Sequence, residues 1–353
     1  MDIKIGLGRA IGFLRLAAGT VTVCLAGCGV AAPVAEEALS EQASPVLSTS
    51  WTDGSGNVLI ALFRGNWSAT AERNQATASV DAGYTLVGGG AEISGGLATP
   101  GALLTGAEPL SFTTFRAASK DHYYVYSHQL RAYALGMKIK GTGGTFLTAS
   151  QLQSEMQIVW TDHPGPQGTP HPDGDLRIDP ADIVIGGGAW AHDGHFQDNP
   201  PDEPTSDVAW NHSGQLLYSS IWSDIEGWNG SSKDHVYSDP GFIEIAAIVI
   251  HRCSRLWTGC LADGHFVHSE YVGTGYQSLS VESAFPWAVT SVSGSSNTSG
   301  AGRLLNGLIP YSNNQIQGAA KIITKDHVIA DSGLLYTDVH VIQMVSPPCS
   351  CSG

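Results

Sequence analysis

The sequence contains few charged residues and very few basic ones. Only 14% of its 353 residues are Asp, Glu, Lys or Arg, and 17 Lys and Arg stand against 32 Asp and Glu, which gives a net charge of −15 at pH 7. Such a chain repels phosphate backbones and anionic lipid headgroups. We therefore expect no nucleic-acid partner, and we expect membrane contact only where a separate anchor provides it.

Long segments with helical spacing of apolar residues are also missing. Val, Ile, Thr, Tyr and Trp occur instead in short runs separated by Gly, Asp, Asn and Pro, a pattern typical of strands and turns. The H-E-x-x-H zinc motif is absent, and no G-x-S-x-G motif lies between a strand and a helix. The sequence therefore predicts an all-β fold without the common metalloprotease and serine-hydrolase motifs.

The apolar run near the N-terminus is too short for a membrane-spanning helix, which needs about 20 apolar residues. Lys4, Arg9 and Arg15 precede this run, and it ends in "LAGC" at residues 25–28. A basic head, a short apolar run and small residues before a Cys resemble the signal peptide and lipobox of bacterial lipoproteins.

The lipobox resemblance implies that residues 1–27 are a signal peptide removed on export and that Cys28 is then acylated. It also implies anchoring to the cell envelope, at the outer membrane if the host has two membranes, because Gly29 rather than Asp follows the Cys. Loss of the signal peptide removes three basic residues and one acidic residue, so the net charge falls from −15 to −17. Residues 28–47 are rich in Ala, Pro, Glu and Ser and predict a flexible tether.

Four further cysteines remain in the exported chain, and an even number in an oxidising compartment predicts disulfides. Cys253 and Cys260 bracket a short loop and could close it. Cys349 and Cys351 lie in a tail at residues 347–353, and one intervening residue makes a bond between them strained. All three pairings stay open at this stage.

Three sequence landmarks recur in the same order and predict an internal repeat. A glycine-containing stretch comes first, an "LL" stretch second and the tripeptide Lys-Asp-His third. The glycine stretches are "LVGGGA" from Leu86, "IVIGGGA" from Ile183 and the divergent "AVTSVSG" from Ala288. The "LL" stretches begin at Leu103, Leu216 and Leu304, and the tripeptides begin at Lys120, Lys233 and Lys325.

The landmarks delimit three repeats of about 100 residues, at 48–141, 142–253 and 254–346, which is longer than solenoid or single-blade repeats. We expect a pseudo-threefold or tandem arrangement of β-prism or sandwich type. The runs "LRAYALGMKI", "FIEIAAIVI" and "TDVHVIQM" predict central strands. Glycines at the end of an apolar strand predict a bulge, a positive φ or the close approach of another backbone.

The repeated Lys-Asp-His tripeptide has two interpretations. Asp favours turns, because its carboxylate accepts backbone N–H groups, so the tripeptide could be a structural clip before each strand. Pseudo-threefold packing could instead gather the three copies into one catalytic or binding site. In an extended strand Lys and His would then share a face that Asp does not. The residues concerned are Lys120, Asp121, His122, Lys233, Asp234, His235, Lys325, Asp326 and His327.

The second repeat carries a long insertion, residues 189–215. From the first glycine to the "LL" stretch it spans 30 positions, Gly186 to Leu216, against 15 in the first repeat, Gly88 to Leu103. Aromatic rings beside carboxylates suit carbohydrate, because rings stack on sugar faces and carboxylates accept sugar hydroxyls. The candidate ligand-binding residues are Trp190, His192, Asp193, His195 and Trp210. A solvated acidic loop is the competing interpretation.

No motif requires a cofactor, and a divalent metal ion, calcium or zinc, is the one cofactor that the residues could bind. Zinc could bind His192 and His195, or His122, His235 and His327 if these converge. Calcium could bind the Asp-rich stretch that begins at residue 171, although this stretch lacks EF-hand spacing.

Together these features predict a lipid-anchored exported protein that binds an extracellular polar ligand, with glycan as the best ligand class. An exported hydrolase or lyase that acts on an extracellular polymer through a Lys/Asp/His group is the first alternative. A structural envelope protein is the second.

Overall fold

The computed structural model describes the chain between residues 46 and 346 with gaps. The described residues are 46–94, 101–121, 126–163, 171–180, 182–192, 215–223, 227–234, 241–297, 303–312, 318–326, 330 and 332–346. Several residues named above lie outside these ranges: Cys28, His122, Asp193, His195, Trp210, His235, His327, Cys349 and Cys351. Across the described residues the all-β prediction is confirmed, because the only helix is a single short one.

The strands fall into three consecutive sets. The first part of the chain forms β1 (Val46–Thr52), β2 (Val58–Arg64), β3 (Arg73–Ser79), β4 (Thr85–Ile93), β5 (Ala102–Pro109), β6 (Thr114–Asp121) and β7 (Leu130–Ile139). The middle forms α1 (Ala149–Gln153), β8 (Met156–His163), β9 (Asp173–Arg177), β10 (Asp182–His192), β11 (Gln215–Ser223), β12 (Gly227–Asp234) and β13 (Phe242–His251). The last part forms β14 (Cys260–Val272), β15 (Gln277–Glu282), β16 (Ala288–Asn297), β17 (Arg303–Tyr311), β18 (Ala319–Asp326) and β19 (Gly333–Val345).

The recurring sequence landmarks occupy corresponding strands of the three sets. The glycine stretches lie on β4, β10 and β16, and the "LL" stretches begin β5, β11 and β17. Each Lys-Asp pair ends β6, β12 or β18, and the three predicted central runs lie on β7, β13 and β19. Each of these last three strands has a hydrogen-bonded neighbour on both sides, so their central position is confirmed.

The three antiparallel sheets interleave the sets in a cycle. Sheet 1 has the order β1-β2-β7-β4-β17-β18-β15, sheet 2 the order β3-β6-β5-β10-β13-β8, and sheet 3 the order β14-β19-β16-β11-β12-β9. Each sheet joins the glycine strand of one set to the "LL" strand of another, through β4–β17, β10–β5 and β16–β11. The same pairing made three times favours the pseudo-threefold form of the predicted arrangement over the tandem one. The exact repeat boundaries stay a prediction.

The glycine stretches lie where strands from different sets approach one another. A β-bulge precedes Gly88 and Gly186, and a corresponding bulge precedes Ser291 in the divergent third copy. A Cβ at Gly88 would lie 2.5 Å from the carbonyl oxygen of Thr290 and 2.8 Å from Cβ of Ser291, and a Cβ at Gly186 would overlap the carbonyl oxygen of Val87. The glycines therefore permit a bulge and a close approach of backbones. The third copy can have a serine at this position because the other two copies have glycine, which lacks a side chain.

Candidate functional site

The three Lys-Asp pairs stand at equivalent strand ends and are all buried. Lys120, Lys233 and Lys325 have relative exposures of 1%, 9% and 8%. Buried lysines are uncommon because an ammonium group loses its hydration on burial. Three of them at equivalent positions of a pseudo-threefold fold therefore make these strand ends the first candidate for a functional site.

Each of the three lysines is the register partner of one leucine in a common apolar cluster. Leu103, Leu216 and Leu304 are fully buried and form a small cluster of their own, against which Tyr218 packs. In register, Lys120 is opposite Leu103, Lys233 opposite Leu216 and Lys325 opposite Leu304. Side chains directly opposite each other on antiparallel strands share a face. The six residues therefore surround one end of the pseudo-threefold axis, and we call this group the axial lysine site.

The aspartates take a different role, because each is one residue further on and lies on the opposite face. Asp234 accepts a hydrogen bond from Nε2 of Gln215, its register partner. Asp326 forms an ion pair with its register partner Arg303 through Nη1, at 2.5 Å, and accepts the backbone N–H of Gly275 at 2.6 Å. In copies two and three the Asp therefore fastens the strand end, as the clip interpretation expects, while the Lys faces the axis.

Burial weakens the charged state of at least one of these lysines. It lowers the pKa of Lys325 to about 8, against the smaller opposing effect of Asp326. The Nζ of Lys325 lies 5.4 Å from the ring centroid of Tyr276. Burial, with the nearby Tyr126, raises the pKa of Tyr276 to about 12, so its phenol stays a hydrogen-bond donor at neutral pH. At the axial lysine site, the ammonium group of Lys325 and the phenol of Tyr276 are thus hydrogen-bond donors close to apolar leucines.

A second polar cluster lies on sheet 2, at the start of the insertion of the second repeat. Glu108 on β5 is opposite Arg116 on β6, and Trp190 on β10 is opposite Glu244 on β13. His192, the last residue of β10, lies two residues beyond Trp190 on the same face. We call these five residues the carboxylate cluster.

Two glycines make room for the carboxylate cluster. A Cβ at Gly106 would overlap the indole ring of Trp190, and a Cβ at Gly188 would overlap Glu108. The guanidinium carbon of Arg116 lies 4.2 Å from the centroid of the Trp190 ring. Trp190 is buried, and Arg116 lies over its ring, so in this structure the indole contacts Arg116 rather than offering an open face for stacking.

The two carboxyl groups of the cluster have opposite protonation tendencies. Arg116 donates from Nε to Oε1 of Glu108 at 2.7 Å, and its Nη2 lies 3.4 Å from Oε1 of Glu244. Complete burial raises the pKa of Glu108 to about 8, although Arg116 opposes the shift. Burial alone would raise the pKa of Glu244, but His192, at 3.5 Å, and Arg116 lower it overall. Their environments therefore favour the neutral acid for Glu108 and the carboxylate for Glu244.

One carboxyl oxygen of Glu108 lacks a hydrogen bond from the described residues, which is consistent with a protonated Glu108 side chain. Its Oε2 is buried and receives no hydrogen bond from any residue that the structure describes. If Glu108 is protonated, Oε2 can carry the proton and donate a hydrogen bond to Glu244. Such a hydrogen bond contributes to the raised pKa of Glu108. Paired groups whose pKa values diverge in this way are typical of acid–base sites.

Glu108→Gln should flatten one part of the pH dependence of stability. A carboxyl group whose pKa rises from 4.5 to about 8 on folding stabilises the folded state fully below pH 4.5, and this contribution is lost as the pH rises to 8. Gln keeps the shape and does not titrate. Urea unfolding at pH 5, 6.5 and 8 should therefore show a smaller decline for Glu108→Gln than for the parent protein; equal declines would contradict the assignment.

The carboxylate cluster breaks the pseudo-threefold symmetry. The register pair Glu108–Arg116 corresponds to Ile221–Asn229 in sheet 3 and to Ile309–Lys321 in sheet 1. The register pair Trp190–Glu244 corresponds to Ser295–Tyr336 in sheet 3 and to Glu92–Arg131 in sheet 1. Two carboxylates come together at this position only in sheet 2, so the cluster is not a requirement of the repeat itself.

The sequence-based reasoning named only part of this cluster. That reasoning selected Trp190 and His192 but missed Glu108, Arg116 and Glu244. The structure places all five residues together. One signal was available, because "LLTGAEP" carries a Glu where the other two copies have Ile. Asp193, His195 and Trp210 belong to the part of the insertion that the structure does not describe.

The remaining candidates are less well supported. Across the described ranges no group of three or more His, Cys, Asp or Glu side chains is arranged to hold a metal ion. From the Asp-rich stretch, Asp182 bonds His251 at 2.6 Å and Asp175 accepts from Asn229 at 3.2 Å. Cys253 and Cys260 pair across adjacent backbone segments with their sulfurs 2.7 Å apart, beyond the about 2.05 Å of a disulfide. The disulfide stays a prediction.

Comparison with known proteins supplies no family for the chain. No protein-family model matches it, and no curated protein matches it significantly. None of the described helices has the length and apolar character needed to cross a membrane.

Proposed function

We propose that this protein is an exported, lipid-anchored binding protein whose ligand is an extracellular polar molecule, with glycan as the best ligand class. The proposal is supported by the axial lysine site, where Lys120, Lys233 and Lys325 are buried and each is the register partner of one leucine in a cluster of three. Ammonium and phenol groups donate hydrogen bonds to sugar hydroxyls, and the ring of Tyr276 offers apolar surface beside them.

The anchor is proposed from the lipobox resemblance alone. Cys28, released by cleavage of residues 1–27, would carry the acyl chains, and residues 28–47 would join them to the β body. Cys28→Ala should move the expressed protein from the detergent phase to the aqueous phase in a Triton X-114 partition. Unchanged partitioning would contradict acylation at this residue.

Glycan-array binding of the mature protein tests the binding function. We expect a signal that falls about tenfold in Lys325→Met, since a charge-assisted hydrogen bond contributes about 1.5 kcal/mol or more. Lys321→Met is the matched control, because Lys321 lies on the same strand, is only partly buried and is four residues from the site. An array without signal, or equal losses in both variants, would overturn the assignment to this site.

The carboxylate cluster favours a second candidate function, an exported hydrolase acting on an extracellular polymer. A neutral Glu108 beside an ionised Glu244 provides a proton donor and a proton acceptor. The glycans used on the array can be assayed for released reducing ends. Turnover that disappears in Glu108→Gln and persists in Lys325→Met would favour the enzyme, and binding without turnover would favour the binding protein.

A further inference from the structure

We infer that β14 is the docking edge for a second copy of this chain, and that two copies pair their β14 strands antiparallel about a twofold axis at Ser269. Sheet 3 of one copy would then continue into sheet 3 of the other. Two observations carry the inference: the edge of β14 is unprotected, and its sequence complements itself when the strand meets a second copy. Neither depends on the ligand proposed above.

The strand β14 is a terminal strand of sheet 3, where it pairs with β19. It has 13 residues, contains neither Lys nor Pro, and keeps its register with β19 without a bulge. The other five terminal strands of the three sheets have between five and eight residues. Proteins protect terminal strands against association by making them short, by bulges, and by Lys or Pro. The edge of β14 has none of these four features.

The second half of β14 presents apolar side chains to solvent. Residues 267–271 are all exposed. Val267 has a relative exposure of 50% and Tyr271 one of 82%. They are four residues apart on one strand, so both side chains lie on the same face of sheet 3. A strand added at this edge would cover both of them and would satisfy the outward backbone groups of β14.

The sequence of this half, "FVHSEYV" at residues 266–272, is complementary to itself. In an antiparallel pair centred on Ser269, Val267 lies opposite Tyr271 of the second copy, and His268 lies opposite Glu270 of the second copy. Pairs of an aromatic with a β-branched side chain, and pairs of a basic with an acidic one, stabilise neighbouring strands. Each pair occurs twice, because a twofold interface uses the same patch on both copies.

The same residues select the position of the axis. A residue whose backbone groups point outward must meet another such residue, so the axis has to pass through a residue rather than between two. An axis at Glu270 would place two glutamates opposite each other, and an axis at His268 would place two histidines opposite each other. Like charges in this position destabilise a strand pair. The axis at Ser269 avoids both arrangements, which favours a second copy of this chain as the occupant.

Sedimentation velocity tests the pairing. The mature protein carries Cys28→Ala, so that no acyl chain drives association, and is measured over an about hundredfold range of concentration. We expect a dimer that dissociates on dilution. Tyr271→Lys and Val267→Lys should each raise the dissociation constant about tenfold, because each variant removes two apolar cross-strand pairs.

Leu110→Lys is the matched control, because it replaces an exposed apolar residue in the turn between β5 and β6, away from sheet 3. It should leave the dissociation constant unchanged. A monomer at every concentration, or a dimer that Tyr271→Lys does not weaken, would overturn the inference. Tyr271 is exposed enough for its variant to fold even if Val267→Lys does not, and thermal unfolding checks both.

The double variant Val267→Lys/Tyr271→Glu tests the register. With the axis at Ser269, each new lysine lies opposite a new glutamate of the other copy, so the dimer should return to about the parent dissociation constant. A double variant that associates no better than Val267→Lys would overturn the axis at Ser269.

Discussion

Arg303→Met is expected to destabilise the folded protein by about 3–5 kcal/mol, because it removes one partner of a buried ion pair. Arg303 is fully buried; it pairs with Asp326 and donates to Thr324 Oγ1 at 3.2 Å and to the carbonyl oxygen of Gly273 at 2.9 Å. It also donates to the carbonyl oxygen of Gly275. Urea unfolding at pH 7 measures the effect.

Two further variants distinguish the effect of losing the Arg303–Asp326 ion pair on stability from the effect of replacing any arginine. Arg64→Met, at an exposed position on β2, should change the free energy of unfolding by no more than about 0.5 kcal/mol. Arg303→Met combined with Asp326→Asn should cost less than the sum of the single variants, because the buried carboxylate is then no longer left without its cation. Strict additivity would show that the pair is not coupled.

Gly186→Ala is expected to have the second large effect, a loss of about 3 kcal/mol or more. The added methyl group would overlap the carbonyl oxygen of Val87 on the neighbouring glycine strand and lie 3.1 Å from Cβ of Ser291. Both belong to other strand sets, so the overlap can be relieved only by moving strands apart at the axis. Thermal and urea unfolding of the purified variant measure the loss.

Gly143→Ala is the matched control for this substitution. A Cβ at Gly143 would meet no atom within 4 Å, and its φ lies outside the left-handed region. Its stability should stay within about 0.5 kcal/mol of the parent protein. Equal losses at both positions would mean that backbone entropy, rather than the close approach at the axis, sets the cost of replacing glycine.

Much of the fold could be predicted from local sequence pattern. The run "LRAYALGMKI" has the composition of a central strand, and the structure makes it β7 between β2 and β4. The glycines of "LVGGGA" predicted a bulge or a close approach, and both are present around Gly88. These features depend on alternation and on the absence of a side chain, which a single stretch of sequence records.

The choice of strand partners could not be predicted in the same way. Nothing local indicates that β5 pairs with β10 of the second set, because any two strands of similar pattern can satisfy each other's backbone hydrogen bonds. The carboxylate cluster depends on this choice. Arg116 and Glu244 are 128 residues apart, and they meet only because sheet 2 joins two strand sets.

The role of the Lys-Asp-His tripeptide also could not be predicted fully from the sequence. The sequence allowed either a clip or a shared site. The structure shows Asp326 in an ion pair that fastens a strand end and Lys325 in register with Leu304. A site shared by the three lysines stays a prediction. Strand alternation predicts that the side chains of neighbouring residues point to opposite faces of the sheet. It does not predict which face meets the pseudo-threefold axis, and that depends on how all three sets assemble.

The interleaved sheets have a consequence for how the chain reaches its native state. Sheet 1 is completed only when β4 meets β17, through Glu92 with Gly307 and Ala91 with Leu308, so its two halves come from opposite ends of the β body. Pairings this distant in sequence are closed late and make folding slow. A polypeptide that stops before β17 would present β4 as an open edge, and such edges recruit strands from other molecules. Premature termination should therefore yield aggregates rather than a smaller folded protein.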